Sequence, residues 1–415
     1  SHQTILNGDV NGDDYTTGNI KDNVYHVVEF NASSFSITSD TRLDGFTIIG
    51  GNSGDGGDGT PISGGGIFLR AGDDYYGTYV CNPVLANLRI MGNRAFRHGG
   101  GTFIYTTGGI CSPTFLNCEF SGNYAGSTGG AVSVLSNDGE CSPVFENCVF
   151  NYNSIGTGFP SVGSAVFVEV NGYMGSAAKS NPVFNETSFC NNNGKYKAAV
   201  AIYVGSTSNL PQGTNNCSIQ ILNTTLVNNG NYAVMLKKYN YVESFDVLIA
   251  NSILWGENSI SKYQVTPVIH HSIIQGSGGS GAGWSTSLGT DGGDNIDSDP
   301  LLANELECDF RLLTGSPALN AGIDSIGNNI GFYQGPGLTS AASIYASGFT
   351  WLFGERELNT TSEEYSYKVA AKNLTEDLEI RVPDGFAITA TPGLYSGDST
   401  VLSLSPTGGT ADTTE

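Results

Sequence analysis

The chain has 415 residues, 57 of them glycine, with only 13% charged residues and a formal net charge of −22 from 39 acidic against 17 basic side chains. That length suffices for two domains with buried cores, and the scarcity of strong helix formers excludes a helical bundle. The acidic balance offers no phosphate-neutralising patch, so no nucleic-acid partner is expected, and no run of about 18 apolar residues is present for direct membrane insertion.

Thr4-Ile5-Leu6-Asn7 opens the chain as a short strand. Asp9, Asn11 and Asp13 then alternate with other residues, and Asp14 follows. Oxygen-bearing side chains at this spacing resemble the start of a calcium loop, although the placed glycine and distant glutamate of an EF-hand are absent. Polar turn chemistry is the competing reading.

A repeat dominates the next two hundred residues. Cys81-Asn82-Pro83-Val84, Cys111-Ser112-Pro113-Thr114 and Cys141-Ser142-Pro143-Val144 recur at a spacing of about thirty, the length of one supersecondary unit. Each is followed by a strand and a turn, as in Phe115-Leu116-Asn117-Cys118-Glu119-Phe120-Ser121-Gly122-Asn123. Another strand follows a glycine pair at Gly65-Gly66, Gly100-Gly101 and Gly129-Gly130. Weaker copies begin at Leu43, Phe184, Ile221, Ile249 and Ile269. Alternation points Cys118 and Phe120 inward and Glu119 outward. One such unit cannot bury its own apolar face. Coils stacked in parallel, about 4.8 Å apart, can. The periods of propeller blades and hexapeptide helices are absent. The predicted fold is all-β: a right-handed parallel β-helix over residues 1–337, then a small β-sandwich domain over 338–415.

Asn52, Asn93, Asn123, Asn153, Asn193 and Asn229 each follow a first strand. Asparagine tolerates left-handed backbone and can bond its neighbours in a ladder. Cys118 and Cys148 read as interior thiols. Cys81, Cys111 and Cys141 fall at one coil corner, close enough in Cα distance for one disulfide among them in an oxidising compartment.

Binding candidates lie in loops. Tyr75, Tyr76 and Tyr79 occur in a Gly- and Tyr-rich segment, His98 precedes three glycines, and Tyr239 and Tyr241 flank Asn240. Such side chains suit glycan or protein contacts. The outward residues Arg89, Glu119, Glu146, Lys179 and Glu186 form no evident acid–base set, so no catalytic residue is assigned. His270 and His271 are adjacent in a strand and point to opposite faces. Asp291, Asp294, Asp297 and Asp299 form a second candidate calcium cluster.

The coil pattern of proline, phenylalanine, asparagine and cysteine, followed by Gly-Gly and an apolar strand, resembles the repeats of polymorphic outer-membrane proteins and related Bacteroidetes surface proteins. Asp299-Pro300-Leu301-Leu302, Asp309-Phe310-Arg311-Leu312 and Gly315-Ser316-Pro317-Ala318-Leu319-Asn320-Ala321-Gly322 are similar to the closing segment of choice-of-anchor β-helix proteins. Gly331-Phe332-Tyr333-Gln334-Gly335 departs from the usual ending. Residues 338–415, with alternating segments such as Leu378–Val382 and Val401–Leu404, resemble Ig-like modules of Bacteroidetes surface proteins. These resemblances imply a secreted or bacterial cell-surface protein. In such modules a final strand follows a turn like Gly408-Gly409, and Ala411–Glu415 reads as too short and polar to supply it, so the chain is expected to be a piece of a larger surface protein.

Two functions follow as expectations. One is a structural or adhesive module that presents loops to a glycan or surface protein, with an Ig-like spacer. The other is a polysaccharide lyase or glycoside hydrolase acting in a groove on the helix face.

Overall fold

The computed structural model describes residues 4–14, 19–54, 62–72, 79–157, 162–172, 176–194, 198–205, 214–256, 258–323, 327–338, 343–346, 369–372, 377–381, 401–405 and 411–412. The chain divides into two compact units, Ser1–Gly337 and Leu338–Glu415.

The first unit is a parallel β-helix. Among the described residues its strands form three long sheets, sheet 1 of nine strands, sheet 2 of eight and sheet 3 of ten, and a minor sheet of four. One coil illustrates the path. Thr114–Leu116 lies in sheet 3, Glu119–Ser121 in sheet 1, Tyr124–Ala125 in the minor sheet and Val132–Asn137 in sheet 2; Val144–Glu146 then re-enters sheet 3. Phe115 pairs with Leu85 and Phe145, and Phe120 with Ile90 and Phe150, all in parallel.

Inward side chains set this register. Phe115, Phe145 and Phe184 stack at 5.0 and 5.1 Å, and Phe120, Phe150 and Phe189 stack at 4.6 and 4.7 Å. The two stacks meet edge to face, as between Phe145 and Phe150. A one-residue slip would turn these rings out to solvent.

Three polar columns secure the turns. Asn93, Asn123, Asn153, Asn192 and Asn229 are fully buried. Each amide reaches a carbonyl of the preceding coil, as Asn123 Nδ2 does to Ile90 O at 2.8 Å, and those of Asn93, Asn123, Asn153 and Asn192 also reach the next asparagine. Spacing alone assigns Asn193 to this column. Because Ser121 aligns with Asn151 and Cys190, the column continues through Asn192 instead. Asn52 is half-buried and donates to Ile20 O. A second column, Asn87, Asn117 and Asn147, holds left-handed backbone at φ 52°, 53° and 51°. The third begins at Cys118 and Cys148, buried thiols beside carbonyls of the preceding coil. Thr187, Thr224 and Ser252 continue it as hydroxyl donors to the same carbonyl position.

The disulfide differs from expectation. Cys81, Cys111 and Cys141 are buried free thiols, and the bridge joins Cys190 to Cys308. In-register stacking holds Cβ atoms as far apart as Cα atoms, about 4.8 Å, whereas a disulfide draws them to about 3.8 Å. Cys190 and Cys308 instead come from two packed layers. The hairpin Leu302–Asn304 with Asp309–Leu312 lies against the outer side of sheet 1, where Phe310 and Leu312 cover Cys190, Val227, Ile253 and Ile273. This closing segment is why the late strands are apolar on both faces.

In the second unit, Ser343–Ala346 pairs antiparallel with Val369–Lys372, and Leu378–Arg381 with Val401–Leu404. Ala411–Asp412 pairs with Ala370 and Ala371, within the segment that the sequence marks as too short and polar to supply a final strand.

Candidate functional site

The outer face of sheet 2 carries the densest chemistry. Leu69, Ile104, Val134, Val168, Ile202 and Leu236 point into the core and are fully buried. Their neighbours along each strand must therefore point outward. One outward column runs Phe68, Phe103, Ser133, Phe167, Ala201 and Met235. The next runs Arg70, Tyr105, Leu135, Glu169, Tyr203, Lys237 and Tyr263.

These columns form two aromatic runs. His26 stacks on Phe68 at 4.9 Å, Phe68 lies 5.9 Å from Phe103, and Phe103 stacks on Tyr105 at 5.7 Å. Further along, Phe167, Tyr203 and Tyr239 meet edge to face at 5.3 and 5.9 Å. Lys237 Nζ sits 4.7 Å from the centre of the Tyr203 ring. Burial raises the Glu169 carboxyl above the ordinary carboxylate range. Burial, assisted by the Glu169 charge, pushes the Tyr203 phenol up to about 12. Tyr239 is raised as well, again mainly by burial. Phe103, Phe167 and Met235 are buried on this face, whereas Tyr105, Glu169, Tyr203, Lys237 and Tyr239 are half-buried, so the second column supplies the acid, ammonium and phenolic groups that a sugar's hydroxyls can reach. Glu169 is the sole carboxylate of its column, so the two-acid geometry of a glycosidase is not assembled there.

The structure distributes the sequence candidates unevenly. Tyr239 belongs to this face through Tyr203. His98 stands at its margin, stacked on Phe103 at 5.8 Å, with Nδ1 2.7 Å from Thr128 Oγ1. Burial, with the Arg97 charge adding to it, lowers His98 to about 4, so the ring is neutral at physiological pH. Tyr79 is partly buried against the main core. Tyr241 is 41% exposed at a left-handed turn. Tyr75 and Tyr76 lie outside the described residues. Glu119, expected to lack a basic partner, pairs with Arg89 across adjacent coils at 2.9 Å. Glu169, Tyr203 and Lys237 were missed in the sequence. The available signal was alternation in Val166–Val170, Ala198–Val204 and Tyr232–Lys238, where the apolar Val168, Ile202 and Leu236 face inward and so turn Glu169, Tyr203 and Lys237 outward.

The acidic clusters also separate. Carboxylate oxygens of Asp9, Asp13 and Asp14 lie within 4.8 Å of one another, and among the described residues no other such group of three occurs. Asn11 turns aside to donate to Asp22. Asp291, Asp294, Asp297 and Asp299 do not converge. Asp291 accepts from Gly281 N, Ser280, Gly293 N and Asn295, which hold its carboxyl down at about 2. Asp297 accepts from Gly276 N and Gly278 N, and Asp299 from Leu301 N. Asp294 pairs with His271 at 3.2 Å. These four acids shape turns.

A shallow depression lined by Tyr152, Asn191, Asn193, Asn228 and Gly230 adjoins the closing hairpin. The Asn191 and Asn228 amides there hold the carbonyls of Leu306 and Glu305, a structural use. No helix among the described residues is long and apolar enough to cross a membrane. No family model matches the chain, and no curated protein matches it in sequence.

Proposed function

We propose that the protein is a secreted or cell-surface binding module whose β-helix offers the outer face of sheet 2 to a glycan, with the second unit serving as an Ig-like spacer. The column Glu169, Tyr203 and Lys237, flanked by Tyr239, carries this reading. It combines ring faces with hydrogen-bonding groups on a rigid parallel scaffold, which limits the ordering cost of binding. The resemblance to Bacteroidetes surface proteins agrees with a glycan-rich setting. Depolymerase activity is the rival reading, with Glu169 as its acid; among the described residues no second carboxylate stands in its column to complete a glycosidase pair.

The test is a polysaccharide binding screen run beside a depolymerisation assay. Tyr203→Ala is expected to weaken binding about 3- to 10-fold, the scale of one aromatic contact, without changing the fold by circular dichroism. Release of reducing or unsaturated ends, abolished by Glu169→Gln, would establish the enzymatic reading instead. Glycan binding that is unaffected by Tyr203→Ala and Lys237→Ala would move the site off this face.

A further inference from the structure

We propose that Asp9, Asp13, Asp14 and the side-chain oxygen of Asn23 form a calcium site that clamps the loop over the first coil. This is independent of the glycan reading. Three carboxylates each offer an oxygen within 4.8 Å of the others, and a cation between them would offset their mutual repulsion; Asp9 Oδ1 also accepts from Gly12 N and Asp13 N. The second observation is Asn23. It is 7% exposed, and its Oδ1 has no hydrogen-bond partner. Its Nδ2 donates to Asp14 Oδ2 at 2.9 Å, which seats the amide against the acidic group. Turning the amide over would set its oxygen against that carboxylate, so the orientation is determined. Asp14 Oδ1 is likewise buried without a partner. Both orphaned atoms are acceptors, and a cation satisfies acceptors that no neighbouring donor reaches.

The donor set is all oxygen, without histidine or cysteine, which selects a hard cation. Calcium tolerates such an irregular, partly carbonyl set, whereas magnesium demands a near-ideal octahedron. The ligands differ from those the spacing suggested, because Asn11 is turned away and Asp14 and Asn23 take its place.

The position explains what the ion would do. Gly8 N bonds Ile49 O, Val24 N bonds Gly8 O, and Asn52 N bonds Val24 O. Asp9 follows Gly8 and Asn23 precedes Val24, so the ligands flank the backbone bond that closes the loop. A bound ion therefore ties both ends of that loop to the outermost coil, whose strand Thr4–Asn7 pairs with Phe46–Ile49.

The full chain, stripped with EDTA, is titrated with calcium chloride and separately with magnesium chloride by calorimetry, and amide exchange is followed over residues 4–24. One calcium per chain is expected, with Kd in the micromolar to millimolar range typical of exposed oxygen sites, and with increased protection of 4–24. Asp14→Asn, which removes charge at constant volume, and Asn23→Ala are each expected to weaken binding at least tenfold. Absence of binding, an equal response to magnesium, or calcium binding unchanged in Asp14→Asn overturns the assignment. Exchange protection in the later coils reports separately that each variant is folded.

Discussion

Cys190 and Cys308 are bridged across 118 residues of chain, with their Cα atoms 5.8 Å apart. The bond ties a strand in the middle of sheet 1 to the hairpin that covers the outer side of that sheet. It therefore fastens one layer of the unit to another and does not link coil to coil.

Loss of this bond should be costly. Closing a loop of this length restrains the unfolded chain by about 4–5 kcal/mol in the chain-entropy picture, and measured values usually fall near 2–4 kcal/mol. Cys190→Ser with Cys308→Ser is expected to lower the denaturation midpoint accordingly. Thiol counting under denaturing, non-reducing conditions should give the six free cysteines; a count of eight would refute the bridge.

The two asparagine columns should respond differently. Asn123 is buried, its Nδ2 bonds Ile90 O, and its Oδ1 accepts from the Asn93 backbone and side chain. Asn123→Ala strands those groups and is expected to cost about 2–5 kcal/mol in denaturant unfolding. Asn117 is needed for its left-handed backbone, at φ 53°. Asn117→Gly should be tolerated within about 1 kcal/mol, because glycine adopts that conformation freely. Equal losses at the two positions would contradict these assignments.

His98 makes stability depend on pH. Its ordinary value is 6.5, and burial lowers it to about 4 in the folded chain. Between those values the unfolded chain binds the proton and the folded chain does not, so stability falls as pH drops from 6.5 to 4. The full effect is at most about 3 kcal/mol. His98→Gln removes this titration and should flatten that part of the melting-temperature profile; an unchanged slope would refute the assignment.

Glu169 acts in the opposite direction. Burial raises its carboxyl above the ordinary 4.5, so the folded chain holds the proton longer than the unfolded chain. Its contribution therefore weakens as pH rises through 4.5 and beyond. Glu169→Gln should stabilise the protein at neutral pH, and thermal melts at pH 4 and pH 7 would measure the difference. A variant less stable at pH 7 would show that the charged form has a partner.

The coil was legible from residues 81–153 because every stacked position must solve the same packing problem. Phe115 and Phe145 pair as their spacing required, and Cys118 and Phe120 point inward as alternation required. Period and alternation are local properties, and they determined the parallel stack and the interior faces by themselves. Contacts between surfaces distant in the chain were decided only by the tertiary structure. Cys190 found Cys308 because the closing hairpin folds back along sheet 1, which no spacing encodes. Asn192 displaced Asn193 because register, absent from a run of three asparagines, selects one. Asp14 and Asn23 met because Gly8 and Val24 close a loop between them, and Glu169 joined Tyr203 because stacking aligns positions thirty-four residues apart. A side chain's partner depends on which surfaces fold together, and that geometry exists only once the coils are wound.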